Sequence, residues 1–163
     1  MGFLLKNPHC PFNDPMDARM TSPLIYAGDI SPQDTWQRLQ DDPSAILIDV
    51  RTPEEWAYVG IVDMTQIKRN AVFVPWLFYP RMDLNRNFVP QVLEAAKPQD
   101  EDTPLLLICR SGVRSTYAAH ALTQMGYSQC YNVASGFEGD PNDDKHRGAV
   151  NGWKVAGLPW IQG

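Results

Sequence analysis

Cys109 is followed by Arg110, Ser111, Gly112, Val113, Arg114 and Ser115. One thiol, two guanidinium groups, two hydroxyls and a glycine within seven residues suit nucleophilic sulfur chemistry. The thiolate is the attacking form of cysteine, and nearby cations and helix N-termini favour it. Arg110 and Arg114 supply the cations, and Ser111 and Ser115 add hydroxyl donors. Gly112 has no Cβ, so it can take a positive φ and let the backbone close around the sulfur. If the loop curls into a helix, the amides of residues 110–115 turn inward and form an anion nest. A cysteine that only fills a core needs none of these neighbours, so the loop favours a reactive thiol over packing.

The elements around this loop are read from hydrophobic pattern. Pro104 introduces LLLIC, a continuously apolar run that suits a strand covered on both faces. After the loop, Val113, Tyr117, Ala118, Ala121, Leu122 and Met125 recur at helical spacing up to Gly126. The sulfur therefore falls at the carboxyl edge of a sheet, where open α/β folds place their ligands.

The same alternation runs through the rest of the chain. SPQDTW opens a helix with Ser31 as N-cap, Pro32 at the first helical position and Asp34 at the third, and Trp36 and Leu39 form its buried side. AILIDV (45–50) is a buried strand. TPEEW starts a helix through a capping box of Thr52 and Glu55 with Pro53 between them. AVFVP (71–75) is a strand, Val89 to Ala96 a short helix, and Cys130 to Val133 a last strand. Short parallel strands need helical crossovers, so a layered α/β sheet follows.

Residues 1–23 carry four prolines and no apolar period, and read as a loosely ordered arm ahead of one domain over 24–163. GDPNDDKHRG (139–148) reads as a polar, solvated insertion, with Lys145, His146 and Arg147 beside the site as the less favoured placement. NGWKVAG after it is helix-like, capped by Gly157. VPWLFYP (74–80) concentrates aromatics whose expected role is packing, with an apolar rim for a partner as the alternative.

A chain of 163 residues, 44% hydrophobic, suffices for one core. The formal charge of -5 argues against nucleic acid as a partner. Cys10, Cys109 and Cys130 show neither disulfide-scaffold density nor metal-ligand spacing, so no metal and no cofactor are expected, and a reducing, cytoplasmic setting fits. No apolar run approaches a membrane span, so no membrane partner is expected. His120 lies too far along its helix for a base role, and His9 falls in the arm. Cys130 reads as a buried hydrophobe and Cys10 as an exposed thiol that only in a minor reading resolves a persulfide on Cys109.

ISPQDTW, LIDVRTPEEW (47–56), LLLICRSGVRS (105–115), the closing GF and GWKVAGLPW (152–160) together resemble the rhodanese-like domain family, from about Ile30 to Trp160. The resemblance implies a three-layer α/β domain with a five-stranded parallel sheet flanked by helices. It implies that Cys109 accepts a sulfane sulfur as a persulfide and passes it on, that residues 110–114 cradle it, and that Arg110 and Arg114 suit a thiosulfate user. It places Asp49 and Arg51 in support of the site, where a plain structural ion pair is the equal alternative. Small-molecule sulfur donors and thiol acceptors, with a protein acceptor as a further option, are the implied partners. The chain departs from the family where relatives often read GHIPGA: Ile61 takes the usual histidine position. Two rivals are a noncatalytic persulfide carrier and a Cdc25-like phosphatase. The phosphatase pattern has five residues between cysteine and arginine, and this loop has four, a smaller cradle.

Overall fold

The computed structural model describes residues 23–163. The arm expected over residues 1–23, with His9 and Cys10, lies outside the described residues apart from Pro23.

Five parallel strands form the central sheet, β1 (Gly28–Ile30), β2 (Ile46–Asp49), β4 (Val72–Phe73), β7 (Leu105–Ile108) and β8 (Cys130–Val133), in the order β1-β8-β7-β2-β4. Two antiparallel ribbons complete the strands: β3 (Ile61–Val62) with β9 (Trp160–Ile161), and β5 (Leu77–Phe78) with β6 (Asp83–Leu84). The helices are α1 (Pro32–Asp41), α2 (Pro53–Val59), α3 (Phe88–Ala96) and α4 (Val113–Gln124).

Side chains alternate between the two faces of a strand, and β7 shows the consequence. Leu105, Leu107 and Cys109 enter one core with Phe88, Val92, Tyr117, Ala118 and Leu122 of α3 and α4. Leu106 and Ile108 enter the other, with Leu39 of α1, Phe137 and Trp153. A sheet buried on both faces explains why LLLI shows no polar alternation.

Local capping follows the chemistry of the sequence. Asp34 N–H donates to Ser31 Oγ at 3.0 Å, with Pro32 at the first helical position. Thr52 and Glu55 cap each other reciprocally at the start of α2. On α1, Leu39 and Thr35 are buried and Trp36 only half-buried, with its ring edge-on to Trp153.

Two expectations are corrected. NGWKVAG forms turns rather than a helix: the Ala156 N–H reaches Gly152 O and the Gly157 N–H reaches Lys154 O, one turn that is not propagated. Too few residues follow the nucleating turn to repay it, and the chain is drawn off into β9. The aromatics of 74–80 divide: Trp76 is buried against Phe88, whereas Phe78 and Tyr79 are exposed on the β5–β6 ribbon.

Candidate active site

Cys109 follows the last residue of β7, and Val113 is the first of α4, so only Arg110, Ser111 and Gly112 turn the chain between them. Gly112 sits at φ +104, the left-handed region that a glycine adopts without strain. That turn aims its N–H at Cys109 Sγ, 3.1 Å away. Ser115 Oγ, one turn into α4, lies 3.1 Å from the same sulfur. The sulfur thus lies at the helix N-terminus, held by one amide and within reach of one hydroxyl, and the residue is only 1% exposed.

The loop is braced from the segment after β8. Phe137 N–H donates to Cys109 O, and the Glu138 and Gly139 N–H groups both donate to Arg110 O. The carbonyls of Cys109 and Arg110 are therefore turned onto this segment.

Arg114, one of the two cations read beside the sulfur, is paired. Its Nη1 and Nη2 donate to Glu55 Oε1 and Oε2 at 2.6 and 2.9 Å, a bidentate pair. Burial acts to lower the Arg114 pKa, but the hydrogen bond and charge of Glu55, with Asp49 beyond it, hold it above the ordinary value. Burial likewise acts to raise Glu55, and Arg114, the Thr52 amide and Arg51 outweigh it, so the carboxyl lies below its usual range. Sequence reasoning assigned Glu55 to the helix cap alone; the same carboxylate does both.

Asp49 and Arg51 form a buried pair beside this cluster. Arg51 Nη2 donates to Asp49 Oδ2 at 2.7 Å, Nε donates to Oδ1 at 3.0 Å and to Oδ2 at 3.2 Å, Nη2 also reaches Gly60 O, and the guanidinium lies 4.3 Å from the centre of the Phe137 ring. Ile61, at the position where the family often has histidine, lies in β3, paired with β9.

Over the flanks of the loop opens a cavity of about 520 Å³, lined by Glu54, Glu55, Val59, Tyr79, Pro80, Met82, Arg110, Arg114, Glu138 and Arg147, with Thr52. Arg110 is exposed, as is Val113. The insertion is not wholly solvated: Arg147 reaches the cavity and donates to Gly139 O at 2.7 Å, whereas Lys145 and His146 are exposed and do not line it. His120 contacts the backbone of Ile25, away from the loop. Cys130 is fully buried, and desolvation pushes its thiol up to about 11.

One polar residue was missed. Asn132, 5% exposed in β8, places Oδ1 2.5 Å from Ser115 Oγ. The available signal was an asparagine in the middle of the strand CYNV, one step of two from Cys130 and so on the same face.

The model of the family described as Rhodanese-like domain matches residues 31–140. The solved structure of Rv0390 from M. tuberculosis is 42% identical, with a TM-score of 0.78, over 85% of this chain and all of that one. Uncharacterized protein RP600 of Rickettsia prowazekii is 40% identical over 72% of this chain and 83% of its own length. A protein of Allochromatium vinosum named sulfurtransferase is 29% identical over 82% of this chain and 94% of its own.

Proposed function

The chain belongs to the rhodanese-like domain family, and from that premise we propose that it moves a sulfane sulfur from thiosulfate, or a related donor, through a persulfide on Cys109 to a thiol or cyanide acceptor. The observation that carries this reading is the position of one sulfur at the start of α4, with the Gly112 amide directed at it and the Ser115 hydroxyl within 3.1 Å. The relative named sulfurtransferase supports the reaction class.

In this mechanism the Cys109 thiolate attacks the outer sulfur of thiosulfate. The S–S bond of the donor breaks, sulfite leaves with the bonding pair, and a persulfide anion remains on Cys109. An acceptor thiolate or cyanide then attacks the terminal sulfur, and the Cys109 thiolate is regenerated. The amides of residues 110–114 hold the terminal sulfur, as preorganised donors held at a helix N-terminus stabilise an anion without reorganising. Arg110, exposed at the cavity, meets the sulfonate oxygens of the donor. Arg114 adds positive potential, part of which Glu55 offsets, and its second role is to fix the loop. Asp49 and Arg51 support the site by fixing the chain that leaves β2 toward α2.

Mass spectrometry of the intact protein after thiosulfate treatment is the test. The wild type gains one sulfur, and Cys109→Ser gains none; uptake of sulfur by Cys109→Ser removes the proposal. A second reading, a carrier that releases its persulfide only to a protein, is favoured by the burial of the sulfur and by the exposed Tyr79 and Met82 beside the cavity. A stable persulfide with negligible turnover by small acceptors selects it.

A further inference from the structure

Three side chains continue from the sulfur into the sheet. Ser115 Oγ stands 3.1 Å from Cys109 Sγ and 2.5 Å from Asn132 Oδ1. A hydroxyl has one hydrogen to donate, so Ser115 serves either the sulfur or the amide oxygen. All three residues are almost wholly buried, so no bulk water stands in for the donor that either acceptor lacks. The 2.5 Å contact is at the short end for a hydroxyl-to-oxygen bond, and a neutral thiol sulfur is only a weak acceptor, so the amide oxygen takes the hydrogen.

The orientation of Asn132 is imposed from its other end. Its Nδ2 donates to Asp29 Oδ1 at 3.0 Å, and Tyr26 Oη donates to the same oxygen at 2.9 Å. An ionised carboxylate only accepts, so Asp29 selects the amide nitrogen and leaves Oδ1 toward Ser115. Asn132 also lies on the side of Gly112 that a side chain would occupy: a Cβ placed there would stand 3.5 Å from Asn132 Nδ2 and 3.8 Å from Oδ1.

We propose that Asn132 is a positioning residue that competes with Cys109 Sγ for the single hydrogen of Ser115, so that the resting thiol is held by the Gly112 amide while the Ser115 hydroxyl is withheld from it. This rests on the reading of Cys109 as the nucleophile. When the thiol proton leaves, the hydroxyl turns from Asn132 Oδ1 to the anionic sulfur, and the amide oxygen gives up its donor. Forming the thiolate thus costs one buried hydrogen bond, and Asn132 sets that cost. The charged groups around this centre are Arg110 on the loop, Arg114 on α4 with Glu55 of α2, Asp49 at the end of β2, Arg51 after it, and Asp29 on β1; a neutral substitution at 132 changes no charge, and of these groups only Asp29 loses a hydrogen bond to it.

The test is the rate of Cys109 carbamidomethylation by iodoacetamide as a function of pH, read by peptide mass spectrometry. Asn132→Leu removes the competing acceptor at similar volume and shifts the midpoint of the profile to lower pH by about one unit, the size of one hydrogen bond to a charged group. In the Ser115→Ala background the same substitution produces no shift. Asp29→Ala, on an exposed residue, releases the amide without touching the core and shifts the profile in the same direction. Its shift also disappears with Ser115→Ala, which separates release of the hydroxyl from loss of a negative charge. An unmoved profile in both variants, or shifts that persist without the Ser115 hydroxyl, overturns the assignment. Thiosulfate uptake is measured on the same samples. Wild type that takes up no sulfur, with the alkylation shifts present, defeats the transfer reading and leaves the role of Asn132 standing. Normal uptake with no shift defeats the role of Asn132 alone.

Discussion

Glu55 and Arg114 meet in a bidentate pair at 2.6 and 2.9 Å, which joins the first turn of α2 to the first turn of α4. The carboxylate that closes the capping box of one helix thereby fixes the arginine of the loop that holds Cys109. Both side chains are less than one-fifth exposed, so the pair is not a solvated surface contact of negligible worth.

Glu55→Gln is expected to destabilise the fold by about 1–3 kcal/mol at pH 7, the range of hydrogen bonds to a charged partner. Glu55 titrates below its ordinary value in the folded protein. Its contribution is therefore complete above about pH 4.3, the unfolded value, and fades as the pH falls from there through the folded value. Urea unfolding of both proteins between neutral and acid pH checks this: the gap in stability is constant near neutrality and narrows in acid.

Arg110 is exposed at the cavity, and its side chain takes no part in the hydrogen bonds that brace the loop; the carbonyl does that. Arg110→Ala is expected to raise the KM for thiosulfate by about tenfold, one lost charged contact, with a change in stability below about 0.5 kcal/mol. Steady-state kinetics alongside thermal unfolding separate this from Arg114→Ala, which loses stability as well because it strands Glu55.

Arg51 is fully buried, with three side-chain hydrogen bonds to Asp49, one to Gly60 O and the Phe137 ring over its guanidinium. Arg51→Ala leaves the Asp49 carboxylate buried and unpaired, at a cost of about 3–5 kcal/mol. Arg51→Lys recovers little of it, because an ammonium cannot reproduce the planar fork. Denaturant unfolding at neutral pH gives both values.

Gly136 sits at φ +62, and a Cβ there would lie 2.6 Å from the carbonyl carbon of Arg110. The obstacle is backbone, which cannot rotate aside. Gly136→Ala is expected to cost at least about 2 kcal/mol and to displace the loop. The check is unfolding together with the rate of Cys109 alkylation, which changes if Phe137 no longer holds Cys109 O.

Much of this architecture is local and so was legible in the sequence. LLLI and ILID announce buried parallel strands because both of their faces are covered, and Ser31, Thr52, Pro32 and Pro53 mark helix starts because capping is settled within four residues. Gly112 was legible for the same reason: the turn needs a positive φ at that point. NGWKVAG was misread because one helical turn carries too little local information to show that β9 captures the chain.

The sequence alone determined the place of Cys109 between a strand and a helix, the glycine turn, the helix behind it and the alternation that builds the sheet, since each depends on residues within a turn or a strand of one another. Only the tertiary structure decided what those groups touch. Arg114 is 59 residues from Glu55, Ser115 is 17 from Asn132, and Asn132 is 103 from Asp29. Such pairings leave no periodic trace, because they arise where parallel strands end side by side after helical crossovers. The charge around Cys109 and the hydrogen bond its neighbour can spare are set there.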